Sequence, residues 1–351
     1  MEKLTIKTPE DFISLMGHSL GFWPTESLVC VTLDGQQIGA TLRVDLPQPG
    51  ADLDRYVSLA CRYIENDPAA TGVVLGIFTD AAWPEGSPRP FDPVISKLTE
   101  TLVERNISVR DGWFVRHDSF CPNTSSTQPT PSFPLERVTS STLNAELIFR
   151  GSSVQSTEDL HIPVIAHGDL SSQVALNCTL IERMQPAKAI RAARTLWRSA
   201  LEGPDMPSDE HCAELIAYLK FVSVRDRLLA DIPGLDAPMS DLLLGQTTTP
   251  PRWSRVDRAE QVLLHLYARS DRQDVAPIIT SIGIIQWWEG HASKAHKCFE
   301  HALEADPRYR LAQLTDQLLN AGIVSDWATN KQTAYQPPYT RGLGIAGMDL
   351  S

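Results

Sequence analysis

The sequence predicts an α/β domain, a mixed sheet with a hairpin and crossover helices, followed by an all-α C-terminal helical domain. Three observations carry that reading. Up to about residue 150, short β-branched runs alternate with stretches whose apolar residues recur at helical spacing. The run Gly72-Val73-Val74-Leu75-Gly76-Ile77-Phe78 is apolar throughout, as in a central strand covered on both faces. Beyond about Asp169 the helical period takes over and helix caps become legible. The expected limits are 1–168 for the α/β domain, 169–322 for the helical domain and 323–351 for an irregular tail.

Taken in order, Thr8-Pro9-Glu10-Asp11 supplies a cap, a proline and two acids for a helix that runs to about Leu20. Gly21-Phe22-Trp23-Pro24 ends it. Ser27 to Leu33 and Ile38 to Leu46 flank Asp34-Gly35 and read as a β-hairpin. Leu53 to Ile64 reads as an amphipathic helix. After a Pro/Gly-rich loop at 83–90 come a helix from about Pro93 to Arg105 and a strand from about Ile107 to Val115, an order that implies partly parallel pairing. Within that stretch Asp111-Gly112 reads most simply as a turn of a hairpin. Residues 122–141, rich in Ser, Thr and Pro, read as a long exposed loop, and Ala145 to Phe149 as a short strand that returns to the sheet.

The helical domain is expected to hold helices near 171–183, 187–201, 208–230, 255–269, 275–289, 291–305 and 307–320. Trp327 and the tyrosines are expected to pin the tail. Gly283, Gly290, Ala295, Phe299, Ala302 and Pro307 fall at the spacing of a tetratricopeptide repeat, which predicts one TPR-like helical hairpin. Small residues at Gly283 and Ala295 let two helices approach closely, and Pro307 is placed to start the next helix. Such a hairpin holds a partner peptide only when stacked repeats build a groove. With no second copy about 34 residues away, covering a core is the favoured role.

The formal net charge is −12, and residues 1–179 carry 12 Lys and Arg against 22 Asp and Glu. That acidity repels phosphate backbones and argues against general nucleic-acid binding. Apolar runs such as Leu28 to Val31 are far too short for a membrane span, and the polar start offers no signal-peptide h-region. Six cysteines without a C-x-x-C pair read as reduced, mostly buried thiols, so a cytoplasmic location is expected.

Several segments together resemble a family of actinobacterial and actinophage proteins known as domain of unknown function 4192. They are Leu20-Gly21-Phe22, Pro24 and Glu26-Ser27-Leu28-Val29; Leu42 to Pro47; Asp111-Gly112-Trp113; Ala145 to Gly151; and, near the end, Asp271-Arg272, Ala276-Pro277, Gly290 and Ala302 to Ala312. The resemblance spans about residues 4–322 and implies no activity. Where relatives often carry a cysteine-rich patch after the Asp-Gly-Trp segment, this chain has Phe120-Cys121-Pro122 with a single cysteine.

The candidate polar site comprises Asp80, Asp45, Arg43, Glu26 and Ser27. Asp80 follows the buried run, where ligands of parallel sheets sit beyond the strand ends; an acid that merely opens the polar loop Asp80-Ala81-Ala82-Trp83-Pro84 gives the same pattern and is favoured. Arg43 and Asp45, two apart in a strand, leave the same face; an internal salt bridge gives the same pattern and is favoured. Glu26 and Ser27 enter the first strand of the hairpin without a histidine to activate the hydroxyl, so a capping role is favoured. Lys188, Arg191, Arg194 and Arg198 form a basic stripe for an anion or an acidic partner, although a solvated helix face is the commoner outcome.

His117 with Cys121, His161 with His167, and His211 with Cys212 lack zinc-ligand spacing. His291, His296 and His301 step about 140° around a helix, so no metal and no cofactor is expected. The P-loop, the Rossmann glycine turn, the nucleophile elbow and H-E-x-x-H are absent. The favoured reading is therefore a noncatalytic interaction or scaffold protein with a protein partner, its oligomeric state left open. The alternative is a small-molecule or nucleotide-handling enzyme with its site at the carboxyl edge of the N-terminal sheet.

Overall fold

The computed structural model describes residues 4–84, 86–123, 132–154, 170–336 and 343–345. It divides into two compact units, Met1–Leu160 with Gln336–Ser351, and His161–Tyr335. The expected boundary near residue 168, with His161 and His167, lies outside the described residues.

The first unit begins with β1 (Leu4–Ile6) and α1 (Pro9–Leu20). A capping box starts α1: the Asp11 N–H donates to Thr8 Oγ1 at 3.3 Å and the Thr8 N–H donates back to Asp11 Oδ2 at 3.2 Å. The hairpin forms as β2 (Ser27–Asp34) and β3 (Gln37–Asp45). Then come α2 (Leu53–Glu65), β4 (Gly72–Phe78), α3 (Asp92–Glu104) and β5 (Ser108–Val115). Two short strands, β6 (Ser119–Pro122) and β7 (Phe133–Pro134), and two short helices, α4 (Glu136–Thr139) and α5 (Thr142–Phe149), follow.

The six-stranded sheet has the order β3-β2-β4-β5-β6-β7, with β4 and β5 parallel and the other neighbours antiparallel. Side-chain alternation along β4 sends Val74 and Phe78 to one face and Val73, Leu75 and Ile77 to the other. The first face packs on Phe12, Ile13 and Met16 of α1 and Leu143 and Leu147 of α5; the second packs on α2 and α3. Close approach of α1 requires glycine at 76, where a Cβ would sit 2.6 Å from Met16 Sδ.

Two expectations fail in this unit. Ala145 to Phe149 is the second half of helix α5, not a strand. Ser141 caps that helix, accepting from the Asn144 N–H at 3.1 Å, and Leu143 and Leu147 meet the core one turn apart. Asp111-Gly112 is not a hairpin turn. Val73 opposes Val109 while Val74 opposes Asp111, so Arg110 is the extra residue of a bulge and the strand runs on.

The helical unit comprises α6 (Ser171–Glu182), α7 (Pro186–Glu202), α8 (Asp209–Leu219), α9 (Val222–Asp231), α10 (Met239–Leu244) and α11 (Trp253–Tyr267). After them come α12 (Val275–Trp288), α13 (Ala292–Ala305), α14 (Arg310–Asn320) and α15 (Asp326–Thr329). The single helix expected over 208–230 is two, broken at the extended Phe221, so that Leu215 and Leu219 of α8 and Leu228 of α9 turn into one core. Pro307 lies in a turn, and α14 starts only at Arg310.

α12 and α13 pack together as a helical hairpin. A Cβ at Gly283 would sit 2.5 Å from Phe299 Cε1, so the small residue sets the contact. Every residue of α12 is buried, as its all-round apolar sequence dictates; it is the centre of the core and presents no open groove.

Residues 323–336 and 343–345 of the expected tail are described. They include α15, and Trp327 is buried against Trp288, with ring centroids 5.4 Å apart, while its Nε1 donates to Thr247 Oγ1 at 2.8 Å. Further on, β8 (Leu343–Ile345) pairs in parallel with β1.

Candidate functional site

Because β2 runs antiparallel to both neighbours, its start lies beside the ends of β3 and β4: Ser27 is opposite Asp45 on one side and Phe78 on the other. β5, parallel to β4, ends at the same rim, with Val115 opposite Phe78. The topology therefore brings Glu26, Ser27, Arg43, Asp45 and Asp80 to one edge of the sheet, the carboxyl end of its parallel pair.

There they bond to one another and to their immediate neighbours. Arg43 Nε donates to Ser27 Oγ at 2.8 Å and the rest of its guanidinium pairs with Asp45. The Ser27 hydroxyl donates to Thr25 O at 2.6 Å, so its proton is held by a carbonyl and no base faces it. Glu26, at φ 41°, accepts from Thr79 Oγ1 at 3.0 Å and from the Asp80 N–H at 3.2 Å. A non-glycine residue in that left-handed region costs on the order of 1 kcal/mol, which these bonds offset. Asp80 Oδ1 accepts from the His117 N–H at 3.0 Å and lies 2.8 Å from His117 Nδ1. The His117 hydrogen bonds hold the Asp80 carboxyl below its ordinary range, and Asp80 in turn raises the His117 imidazole.

Beside this network lies a cleft of about 220 Å³ whose walls include Thr79, Trp83, Phe114, Arg116, Asp118 and Ser119. None of the five expected polar residues lines it. The strand-end rule that selects Asp80 after β4 applies equally to Arg116 and His117 after β5, so the signal was present in the sequence.

In the helical unit, Arg194 makes a bidentate pair with Asp231, Nε to Oδ2 at 2.6 Å and Nη2 to Oδ1 at 2.7 Å. Lys188, Arg191 and Arg198 are exposed, and among the described residues no carboxylate pairs with them. On the preceding helix Leu176 is 61% exposed and Leu180 51%, one turn apart.

A buried polar cluster also forms there, which sequence reasoning missed because four separate segments build it. Gln286 Nε2 donates to Glu260 Oε1 at 2.6 Å and lies 3.4 Å from Glu289 Oε2. His291 Nδ1 stands 3.2 Å from Gln286 Oε1 and 3.2 Å from the same Glu289 oxygen. The Glu289 side chain is only 4% exposed. Burial, then the neighbouring Asp257 charge, pushes its carboxyl up to about 8; burial, then Glu289, pushes Glu260 up to about 7. Burial, with Lys294 adding to it, lowers His291 to about 4. Tyr335 bonds to Asp257 and packs its ring edge-on to Trp253 with centroids 5.1 Å apart.

The other helical histidines go separate ways. His296 Nδ1 bonds to Asp316 at 2.6 Å and His301 Nε2 to the Tyr267 hydroxyl at 2.8 Å. No group of three or more potential ligands that could hold a metal is present among the described residues. All six cysteines are free thiols, and burial raises each thiol's pKa. Among the described residues no helix is long and apolar enough to cross a membrane.

A family profile described as "Domain of unknown function (DUF4192)" matches residues 9–325 of the 351. The chain belongs to this family. No curated protein and no solved structure matches it. Of the segments on which the DUF4192 resemblance rests, two build the sheet rim directly: the one containing Glu26-Ser27 and the one containing Arg43 to Asp45. A third, ending at Trp113, forms the bulged middle of β5.

Proposed function

We propose that the protein is a noncatalytic interaction protein whose helical unit holds an acidic segment of a protein partner along α6 and α7. The observation that carries this reading is the set of three exposed cations on one helix, Lys188, Arg191 and Arg198, for which no described residue supplies a carboxylate, while Arg194 of the same stripe is matched by Asp231. Charge complementarity makes the occupant acidic, and the exposed Leu176 and Leu180 on the consecutive helix give it apolar anchors. The sheet rim favours this over catalysis: its serine, acids and arginine are bonded to one another, and none of them lines the adjacent cleft.

The test compares wild-type chain with K188E/R191E/R198E as bait, after nuclease treatment and at two ionic strengths. A stoichiometric acidic partner retained by the wild type, lost with the triple variant and weakened by salt is expected. The same partner bound equally by both baits, a nucleic acid in place of a protein, or recovery of the chain alone would overturn the proposal. Circular dichroism of the triple variant checks that the helices remain.

A further inference from the structure

The cleft at the sheet rim differs from the network beside it in keeping hydrogen-bond donors open. Arg116 follows β5 directly, and its backbone N–H donates to Ser119 O at 2.7 Å, which tightens the turn into β6. Among the described residues its guanidinium makes one long contact, Nη1 to Ala81 O at 3.5 Å, and is paired with no carboxylate. A guanidinium carries five N–H donors, so most of this fork remains available at the cleft wall. Two residues on, exposed Asp118 lines the same cleft and receives the Ser119 hydroxyl on Oδ1 at 2.7 Å, leaving its second oxygen to accept. Asp80, outside the cleft lining, is held by His117.

The body of the cleft is aromatic. Trp83 packs on Phe114 with ring centroids 5.3 Å apart, and its own N–H is taken by Ser87 O at 3.1 Å, so the indole is a wall and not a donor. The Cys121 thiol in the wall is kept protonated by burial, which removes a nucleophile from the site. Size then limits the ligand. A cavity of about 150 Å³ accepts a benzene ring, whereas drug-sized ligands occupy roughly 300–1,000 Å³. At about 220 Å³ the cleft has room for one ring or a short branched chain with its polar head, and not for a nucleotide.

We infer that this cleft binds a small zwitterion with an apolar body, of the α-amino-acid class, with the carboxylate on Arg116, the ammonium at Asp118 and the side chain against Trp83 and Phe114. Opposite charges two residues apart at the mouth favour a ligand carrying both charges over a plain anion, which Asp118 repels. The inference does not depend on the partner proposed for α6 and α7, and each can fail without the other.

Calorimetric titration of the full chain with L-phenylalanine, L-leucine, 3-phenylpropanoate and adenosine monophosphate tests it. Saturable binding of an amino acid is expected, with 3-phenylpropanoate weaker and the nucleotide undetectable. Arg116→Met should cost about tenfold or more in amino-acid affinity. Asp118→Asn should weaken the amino acid yet leave 3-phenylpropanoate unchanged or tighter, a split that general damage to the fold does not produce. Absence of amino-acid binding, equal binding by Arg116→Met, or tighter binding of the nucleotide would overturn the inference. Should Arg116→Met misfold, Arg116→Lys keeps the charge without the fork, and undiminished affinity there would equally count against it.

Discussion

The sheet rim and the buried polar cluster of the helical unit handle charge in opposite ways. At the sheet rim Arg43 pairs with Asp45 and Asp80 with His117, and Asp45, Asp80 and His117 are exposed. In the helical unit Glu260 and Glu289 are drawn into the core around a single amide, Gln286, and burial pushes their carboxyls up to about 7 and about 8. The difference teaches where each unit is vulnerable. A rim of exposed pairs contributes little and responds to salt, whereas buried carboxyls make the helical core respond to protons.

The sharpest way to break this comparison is to remove the centre of the helical core. Trp288→Ala is expected to destabilise the helical unit by about 3–5 kcal/mol. Hydrogen exchange should show protection lost first in α11, α12 and α13; equal loss in β4 and β5 would mean that the two units unfold as one.

Next in size is pH. The folded-state values of Glu289, about 8, and Glu260, about 7, stand above the ordinary 4.5, so the folded state binds protons more tightly than the unfolded chain. Their contribution is fully present below about pH 4.5 and is lost as pH rises through 7 to 8. The groups that face them are Asp257, His291, Lys294 and Tyr335. Stability of the helical unit should fall by on the order of 3 kcal/mol between pH 5 and pH 9. Glu289→Gln, followed by denaturant unfolding across that range, should flatten most of the slope; an unchanged slope would locate the titrating groups elsewhere.

A steric change in the sheet unit comes third. Gly76→Ala places a methyl 2.6 Å from Met16 Sδ and 2.8 Å from Phe78 Cε2. About 1–2 kcal/mol should be lost, with little pH dependence, because both neighbours are apolar and must shift.

The smallest effects belong to the rim. Asp45→Asn should change unfolding free energy by less than about 1 kcal/mol, an effect that added salt removes. Asp80→Asn should lower the His117 pKa in an NMR titration, since the Asp80 carboxylate is what raises it. A His117 titration that does not move would show the bond to be absent in solution.

Much of the sheet was legible because its signals are local. The all-apolar run of β4 needs cover on both faces, and Thr8 with Asp11 three residues on marks the start of α1. Ala145 to Phe149 was misread because five apolar-rich residues are too few to separate the two periods, and the deciding signal was the Ser141 cap just upstream. The bulge at Arg110 leaves no mark in a single strand, since it exists only as a mismatch of count between β4 and β5. At the rim, Asp80, Arg43 and Asp45 were found from strand-end position and two-residue spacing. The Glu260, Gln286, Glu289 and Tyr335 cluster was out of reach, because α11, α12 and the tail meet only in three dimensions.

The parallel ladder between β1 and β8 sets Leu4 beside Leu343, and everything in the helical unit lies along the chain between them. The sheet unit is therefore discontinuous along the chain, with the helices lying between two strands of one ladder. During synthesis β1 therefore waits for its neighbour until all the helices between them have been made, so closing this ladder is a non-local step.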